Sequence, residues 1–304
     1  MAATSEAEAA GAMLRVRHLT RYDYDTAVEL AHHLAHLRPR ETPWQAISDW
    51  QIDVQPVPDA GARAIDVSVD VFGNWRHCFS HARVHDRLEV TSSFVAALQP
   101  RAAQGGSGPP WEQVAAHLRY RAGSTMPDAC EFALGSPYAP RAAAFAQFAG
   151  DLFAPHRPLL EAADALMRRV HAQFEYRAQS TDVATDALQA LRQRRGVCQD
   201  FAHVMIAACR SLGLAARYVS GYLSTHPLDG QPRLLGSDAS HAWVAVWCPL
   251  NGWVDFDPTN NVWPSLEHVT LAWGRDYGDV APLRGVLRGG TAAHPQVHVS
   301  VEPV

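Results

Sequence analysis

Apolar and polar residues alternate along most of the first hundred positions. "MLRVRHLTRYDYDTAV", "AISDWQIDVQP", "AIDVSVDVFGNW" and "RVHDRLEVTSSFV" repeat with period two, the spacing of strands with one buried face. "FGNW" adds a turn signal. From Met13 to about Leu98 this pattern predicts an antiparallel β domain, placed at 13–103. The clearest break is "QGGSGPP", residues 104–110, where glycine and proline end the alternation.

After the break the period changes. "PPWEQVAAHLRY" opens with proline where a helix start tolerates it, and "PRAAAFAQFAGDLF" is helix-prone. "PLLEAADALMRRVHAQFEY" puts Leu160, Ala163, Leu166, Met167, Val170 and Phe174 on one face. In "TDALQALRQRRG", Asp186 followed by Gln189 offers a capping box, and the run ends at Gly196. Another helix follows "GVC". Strands then return in "AARYVSGYL", "SHAWVAVW" and "GWVDFDP", with "PQVHVSVEPV" as a last alternating strand. Helices first and an antiparallel sheet afterwards make an α+β layout for residues 111–304.

Composition narrows what such a chain can do. At 304 residues, 47% hydrophobic and 19% charged, a packed core is expected. A net charge of −5 speaks against a nucleic-acid partner, which calls for a basic stripe. Every basic residue is arginine, so the chain has no lysine amine of its own to crosslink. The cysteines, Cys78, Cys130, Cys198, Cys209 and Cys248, are odd in number and widely spaced without C-x-x-C, a pattern of reduced thiols. "MAATSEAEAAGA" lacks the basic and apolar regions of a secretory signal, and no apolar stretch spans a bilayer. The expected location is cytoplasmic, with no membrane partner.

The thiol of "RRGVCQDFAHVMIAACRSLG" stands at the mouth of a helix. Cys198, Ala202, Met205, Cys209 and Leu212 share its apolar face, and Cys198 comes first, where free N–H groups stabilise a thiolate. Cysteine pKa values drop from about 8.5 to about 3.5–7.5 in such places, especially beside a histidine. The alternative is a small buried thiol, of which Cys209, about three turns deeper, is the example. A thiolate nucleophile needs an oriented base. With 16 histidines in the chain, presence alone proves little, but His241 lies in "SHAWVAVWCPLNGWVDFDP", two alternating strands joined by "PLNG" as a hairpin. His241, Trp243, Ala245 and Trp247 share one face of the first strand. Trp253, Asp255 and Asp257 share a face of the second. Strand parity does not choose between the aspartates. A register that sets Trp247 opposite Trp253 puts Ala245 opposite Asp255 and leaves His241 diagonal to Asp257, within about 7–8 Å between backbones; a slip would change this. Register thus favours Asp257, with Asp255 as a polar residue near an exposed strand and the tryptophans as packing.

Together, "GVCQDFAHVMIAACRSLGLAARYVSGYL", "SHAWVAVW" and "GWVDFDPTN" resemble the core of the transglutaminase-like cysteine enzyme superfamily, in order and spacing. "LAWGRDYGDVAPLRGV" resembles its bacterial branch described as candidate cysteine proteases, and "LRVRHLTRYDYDTAV…LRPR" that branch's N-terminal β region. The likeness covers roughly residues 13–302. It implies a papain-like fold, a helix bearing the cysteine packed on an antiparallel sheet bearing the other two residues, with Cys198 as nucleophile, His241 as base and Asp257 as its partner. One departure stands out: relatives often carry glutamate where this chain has Ala245.

Other groups carry less. His32 and His36 in "AHHLAHLRPR" would share a helix face, with His33 beside them, but no H-E-x-x-H motif accompanies them. No calcium loop and no phosphate loop is present, so neither metal nor cofactor is expected. Arg275, Asp276 and Arg284 read as a structural ion-pair and turn network. The expected function is a cysteine-dependent amide hydrolase acting on a peptide or protein through an acyl-enzyme. The alternatives are a protein-glutamine transglutaminase and a catalytically silent binding module.

Overall fold

The computed structural model describes residues 11–59, 64–101, 106–123, 125–177, 186–224, 234–236, 239–290 and 295–304. The first ten residues and part of the "QGGSGPP" break, on which two expectations fell, lie outside them. The alternating half forms β1 (Ala12–Ala35), β2 (Gln45–Gln55), β3 (Asp66–Val69), β4 (Trp75–His81) and β5 (His85–Leu98). The second half holds α1 (Trp111–His117), α2 (Ala143–Ala149), α3 (Leu159–Gln173), β6 (Glu175–Tyr176), α4 (Ala187–Gln193), β7 (Arg195–Gly196) and α5 (Cys198–Ser211). After these come β8 (Ala216–Leu223), β9 (His241–Cys248), β10 (Gly252–Phe256), β11 (His268–Gly274), α6 (Tyr277–Val280), β12 (Leu283–Gly289) and β13 (Gln296–Pro303). The α+β expectation holds.

β1 organises the N-terminal sheet because it is long enough to be paired twice over. Its first half lies between β5 and β13, and its second half between β4 and β12. The last two strands of the chain therefore close the N-terminal sheet, although in sequence they follow the helical half. Pairing along both edges also explains why "AHHLAH" is not helical: His32 and His33 are strand residues on opposite faces, and His36 lies just past the strand. The helix-face pairing of His32 with His36 is corrected accordingly.

The helices follow their sequence signals. All six residues predicted for the inner stripe of α3 are buried. Asp186 caps α4 by accepting from Gln189 N at 2.8 Å, and the helix closes on Arg194 in the left-handed region at φ 53°. α5 is buried from Cys198 and Asp200 through Arg210, on all sides rather than along one stripe. Its buried arginine is satisfied: Arg210 donates to the carbonyls of Phe132, Ala139, Ala216 and Arg275 and to Ser136 Oγ.

The second sheet runs β10-β9-β8-β11, all antiparallel. Ala242, Val244, Val246 and Phe256 join the core shared with α5. The N-terminal half covers the outer edge of β11 with side-chain amides. Gln45 donates to Thr270 O at 2.7 Å and accepts from Thr270 N at 2.8 Å. Asn74 donates to Trp273 O at 2.8 Å and accepts from Trp273 N at 3.0 Å. Each amide thus supplies the two bonds of a neighbouring strand and blunts an open edge. Leu14, Val16, Phe94, Ala96 and Leu98 of β1 and β5 belong to the same core as α5, so the two halves pack as one body. Among the described residues no helix is long and apolar enough to cross a membrane.

Candidate active site

α5 begins at Cys198, with Val197 extended before it. Asp200 folds back to accept from Val197 N at 2.8 Å. That contact requires Gly196, because a Cβ there would sit 2.4 Å from Asp200 Oδ2. Cys198 is thereby held with its own N–H in the first helical turn, where intrahelical partners are missing. It is 9% exposed. Arg194, four residues earlier in sequence, stacks on Phe148 and Phe174 at 4.5 and 5.2 Å.

The β9–β10 hairpin has the expected register: Trp253 pairs with Trp247 and Asp255 with Ala245. Asp257 lies one residue past β10, bridged to Val262. His241 Nε2 lies 2.9 Å from Asp257 Oδ2, both side chains being fully buried. This leaves Nδ1 as the ring nitrogen available to Cys198, and Nδ1 has no hydrogen-bond partner among the described residues. Burial alone would strip the proton from His241. The charge of Asp257 and then the sulfur of Cys198 outweigh it and raise the imidazole to about 10. Burial likewise disfavours an ionised Asp257, yet His241 and then His268 hold it far below the ordinary carboxylate range. Asp257 Oδ1 also accepts from the backbone N–H groups of Thr259 and Asn260 at 2.9 and 3.2 Å. Both shifts favour a charged imidazole between the Asp257 carboxylate and the Cys198 sulfur.

Asp255 does something else. It is buried, not beside an exposed strand as expected, and Oδ2 accepts from Trp243 Nε1 at 3.1 Å and pairs with Arg101. Ala245 lies directly opposite it and is fully buried. Arg217, between Trp253 and Trp273 at 4.3 and 3.7 Å, completes that packed layer. Arg275, Asp276 and Arg284 form the turn network anticipated: Arg275 grips Asp279 with two nitrogens, Asp276 caps α6 and accepts from Tyr138 N, and Arg284 donates to Gly278 O.

Two contributors went unread in the sequence. His268 Nε2 lies 3.1 Å from the same Asp257 oxygen that meets His241. Asn260 Nδ2 donates to that oxygen at 2.8 Å, while the Asn260 amide also bonds Leu235 N and O at 2.7 and 3.2 Å. The segment so held lies against His241: a Cβ on Gly236, at φ +86°, would sit 2.8 Å from Nδ1. No motif marks His268; its only signals are the alternation of "HVTLAW" and a glycine in β8. His241, Asp257 and His268 bring their donor atoms within 4.8 Å of one another. In the structure both imidazoles and the Asn260 amide meet Oδ2 at hydrogen-bond distance. A cavity of about 580 Å³ opens beside β10, lined by Trp44, Arg101, Trp253, Asp255 and Trp263, without Cys198 or His241 on its walls.

Two family models match separate parts of the chain. Residues 146–258 match the family described as the transglutaminase-like superfamily, and residues 14–97 match the bacterial transglutaminase-like N-terminal region. An uncharacterized protein of Mycobacterium tuberculosis is 37% identical over 281 residues, covering 90% of this chain and 87% of that protein. A protein-glutamine gamma-glutamyltransferase of Pseudomonas aeruginosa is 33% identical over 153 residues, 47% of this chain and 22% of that protein. Among solved structures, one from Cytophaga hutchinsonii, described as a proposed cysteine protease, superposes with a TM-score of 0.74 at 20% identity, covering 97% of this chain and 92% of that one.

Proposed function

The chain belongs to the transglutaminase-like superfamily, and on that premise we propose that it is a cysteine-dependent amide hydrolase acting on a peptide or protein. Cys198 is the nucleophile, His241 the proton carrier and Asp257 the group that orients it. The observation that carries this reading is the hydrogen bond from His241 Nε2 to Asp257, which fixes the ring and turns Nδ1 free for the thiol. Cys198 passes its thiol proton to His241, the thiolate sulfur attacks the amide carbonyl carbon, and the electron pair of the C=O bond moves onto the oxygen. Backbone N–H groups at the start of α5, beginning with that of Cys198, hold the oxyanion. As the tetrahedral species collapses, the His241 imidazolium protonates the leaving amine and a thioester remains. Water then gives a proton to His241, attacks the thioester and releases the acid. Positioned proton transfer of this kind contributes about 10²–10⁴-fold.

Amine transfer is the second reading, favoured by the likeness to the gamma-glutamyltransferase. The two differ only in what attacks the thioester. Partitioning separates them: a turned-over peptide is incubated with rising primary amine at fixed pH. Under hydrolysis free acid remains the main product. Dominance of the amide adduct at low amine concentration would make the protein a transglutaminase, and no turnover on diverse peptides would favour a silent binding module. The expected location of the enzyme is the cytoplasm.

A further inference from the structure

The reaction proposed above gives no task to His268, yet this side chain is as buried as the triad and touches its carboxylate. Resting on that reading of the triad, we propose that His268 is a positioning residue which shares Asp257 with His241 and so limits how tightly the carboxylate holds the catalytic imidazolium.

The geometry is specific. Both Nε2 atoms meet one oxygen, Asp257 Oδ2, at 2.9 and 3.1 Å. The two rings stand 6.3 Å apart between centroids. His268 is held edge-on to Trp243, 5.4 Å between centroids at 89°. Trp243 lies across β8 only because residue 221 is glycine: a Cβ there would lie 2.5 Å from Trp243 Cη2. Sequence-distant β11 is thus brought to the β9–β10 site over a deliberate gap in the intervening strand.

The protonation state of His268 follows from what surrounds it. Among the described residues its buried Nδ1 has no partner, so a second ring proton there would face the desolvation penalty of an unsatisfied donor. Burial opposes the charged ring, Asp257 favours it, and His241 and Arg101 oppose it, the balance lying below the ordinary value. His241 is in turn acted on by Cys198. His268 therefore stays neutral and presents Nε2–H to Asp257.

A carboxylate offers about four lone-pair sites. Asp257 receives two backbone N–H groups on Oδ1 and three N–H groups on Oδ2. Each extra donor draws charge that His241 would otherwise command. The positive end of the His268 N–H also lies against the same oxygen that meets the imidazolium. Both effects weaken the hold of His241 on its proton, which the ring must surrender to the leaving amine.

The test compares His268→Phe, which keeps a planar ring without a donor, with His268→Gln, whose amide N–H stands in for Nε2–H. Histidine ¹⁵N NMR reads the titration of His241, and the rate of Cys198 alkylation against pH reads it independently of turnover. In His268→Phe the His241 midpoint moves up by about one pH unit, a tenfold change in its protonation equilibrium. Turnover falls with little change in KM, and His268→Gln recovers most of both. Should the phenylalanine variant fail to fold, His268→Met carries the same comparison. An unmoved His241 midpoint in folded donor-free variants, or equal behaviour of Phe and Gln, overturns the inference. Failure of the triad itself reads differently: His241→Ala would then leave Cys198 alkylation unchanged in the otherwise native protein.

Discussion

The buried histidines of the N-terminal sheet and His241 of the second sheet share a side chain and a degree of burial but not a charge. His18 is 1% exposed and His33 7%, and in both burial drives the imidazole down to about 4. Among the described residues His18 hydrogen-bonds neutral hydroxyls, Tyr222 Oη at 2.9 Å and Thr20 Oγ1 at 2.8 Å. His33 stacks on Phe79, with His81 as a further unfavourable neighbour. His241 is 1% exposed, and its imidazole is held up at about 10. The difference is one carboxylate and one sulfur. Burial sets the size of what is at stake, and the neighbour decides the sign. A histidine-rich chain can therefore hold a single catalytic imidazole: His18 and His33 are kept neutral by burial with no carboxylate to answer it.

The sharpest way to break this contrast is to remove the carboxylate charge. Asp257→Asn should lower turnover by about 10⁴-fold, as loss of the orienting carboxylate does in other triads, with the fold retained by circular dichroism. Asp255→Asn, two residues earlier and within β10, should instead act on stability, because it strips a buried partner from Arg101, an effect of about 3–5 kcal/mol. Chemical denaturation and turnover per folded molecule, measured on both variants, separate the two. An inactive but stable Asp255→Asn would reverse the assignment.

The opposite signs predict different pH windows. The folded-state pKa of His18 is depressed, so its contribution is full above about 6.5 and is lost as pH falls toward 4. His241 is raised, so its contribution is full below about 6.5 and is lost as pH rises toward 10. Asp257 is depressed and contributes across the neutral range, losing only in strong acid. In His18→Gln the loss of unfolding free energy between pH 7.5 and pH 5 should shrink by about 2 kcal/mol, while the alkaline side is unchanged. In His241→Ala the alkaline decline should flatten instead. An unchanged acid side in His18→Gln would mean that His18 already binds its proton in the folded protein.

A smaller effect sharpens the geometry around Nδ1. Gly236→Ala adds a methyl 2.8 Å from that nitrogen at a φ of +86°. Left-handed backbone costs a non-glycine residue about 1–2 kcal/mol, so stability should fall by about that much, and the methyl against Nδ1 should lower turnover by about tenfold, about 1.4 kcal/mol of barrier. Full activity would show that this segment stands clear of the imidazole during turnover.

What could be read from the sequence follows the range of each interaction. The β9–β10 register, and with it Asp257 over Asp255 as the partner of His241, was legible because a short hairpin fixes pairing locally. The inner stripe of α3 and the Asp186 cap were legible for the same reason. Strand order was not. Nothing near residues 283–303 says that β12 and β13 return to β1, and the local spacing of His32 and His36 suggested a helix that double-edged pairing forbids. His268 escaped because it reaches Asp257 only through sheet order and the gap at Gly221. The buried role of Asp255 escaped because its partner, Arg101, comes from the other half of the chain.

The central claim is that Cys198 is activated by His241 and Asp257, and the five thiols test it against exposure. Cys198 is buried, whereas Cys78 and Cys130 are half-buried and more open to reagent. The decisive measurement is the rate of alkylation of each cysteine, mapped by mass spectrometry, in the wild type and in His241→Ala and Asp257→Asn. We predict that Cys198 reacts first in the wild type despite its burial, and that both substitutions abolish its lead. Modification in the order of exposure, with Cys78 and Cys130 ahead of Cys198 and no response to either substitution, would contradict the account.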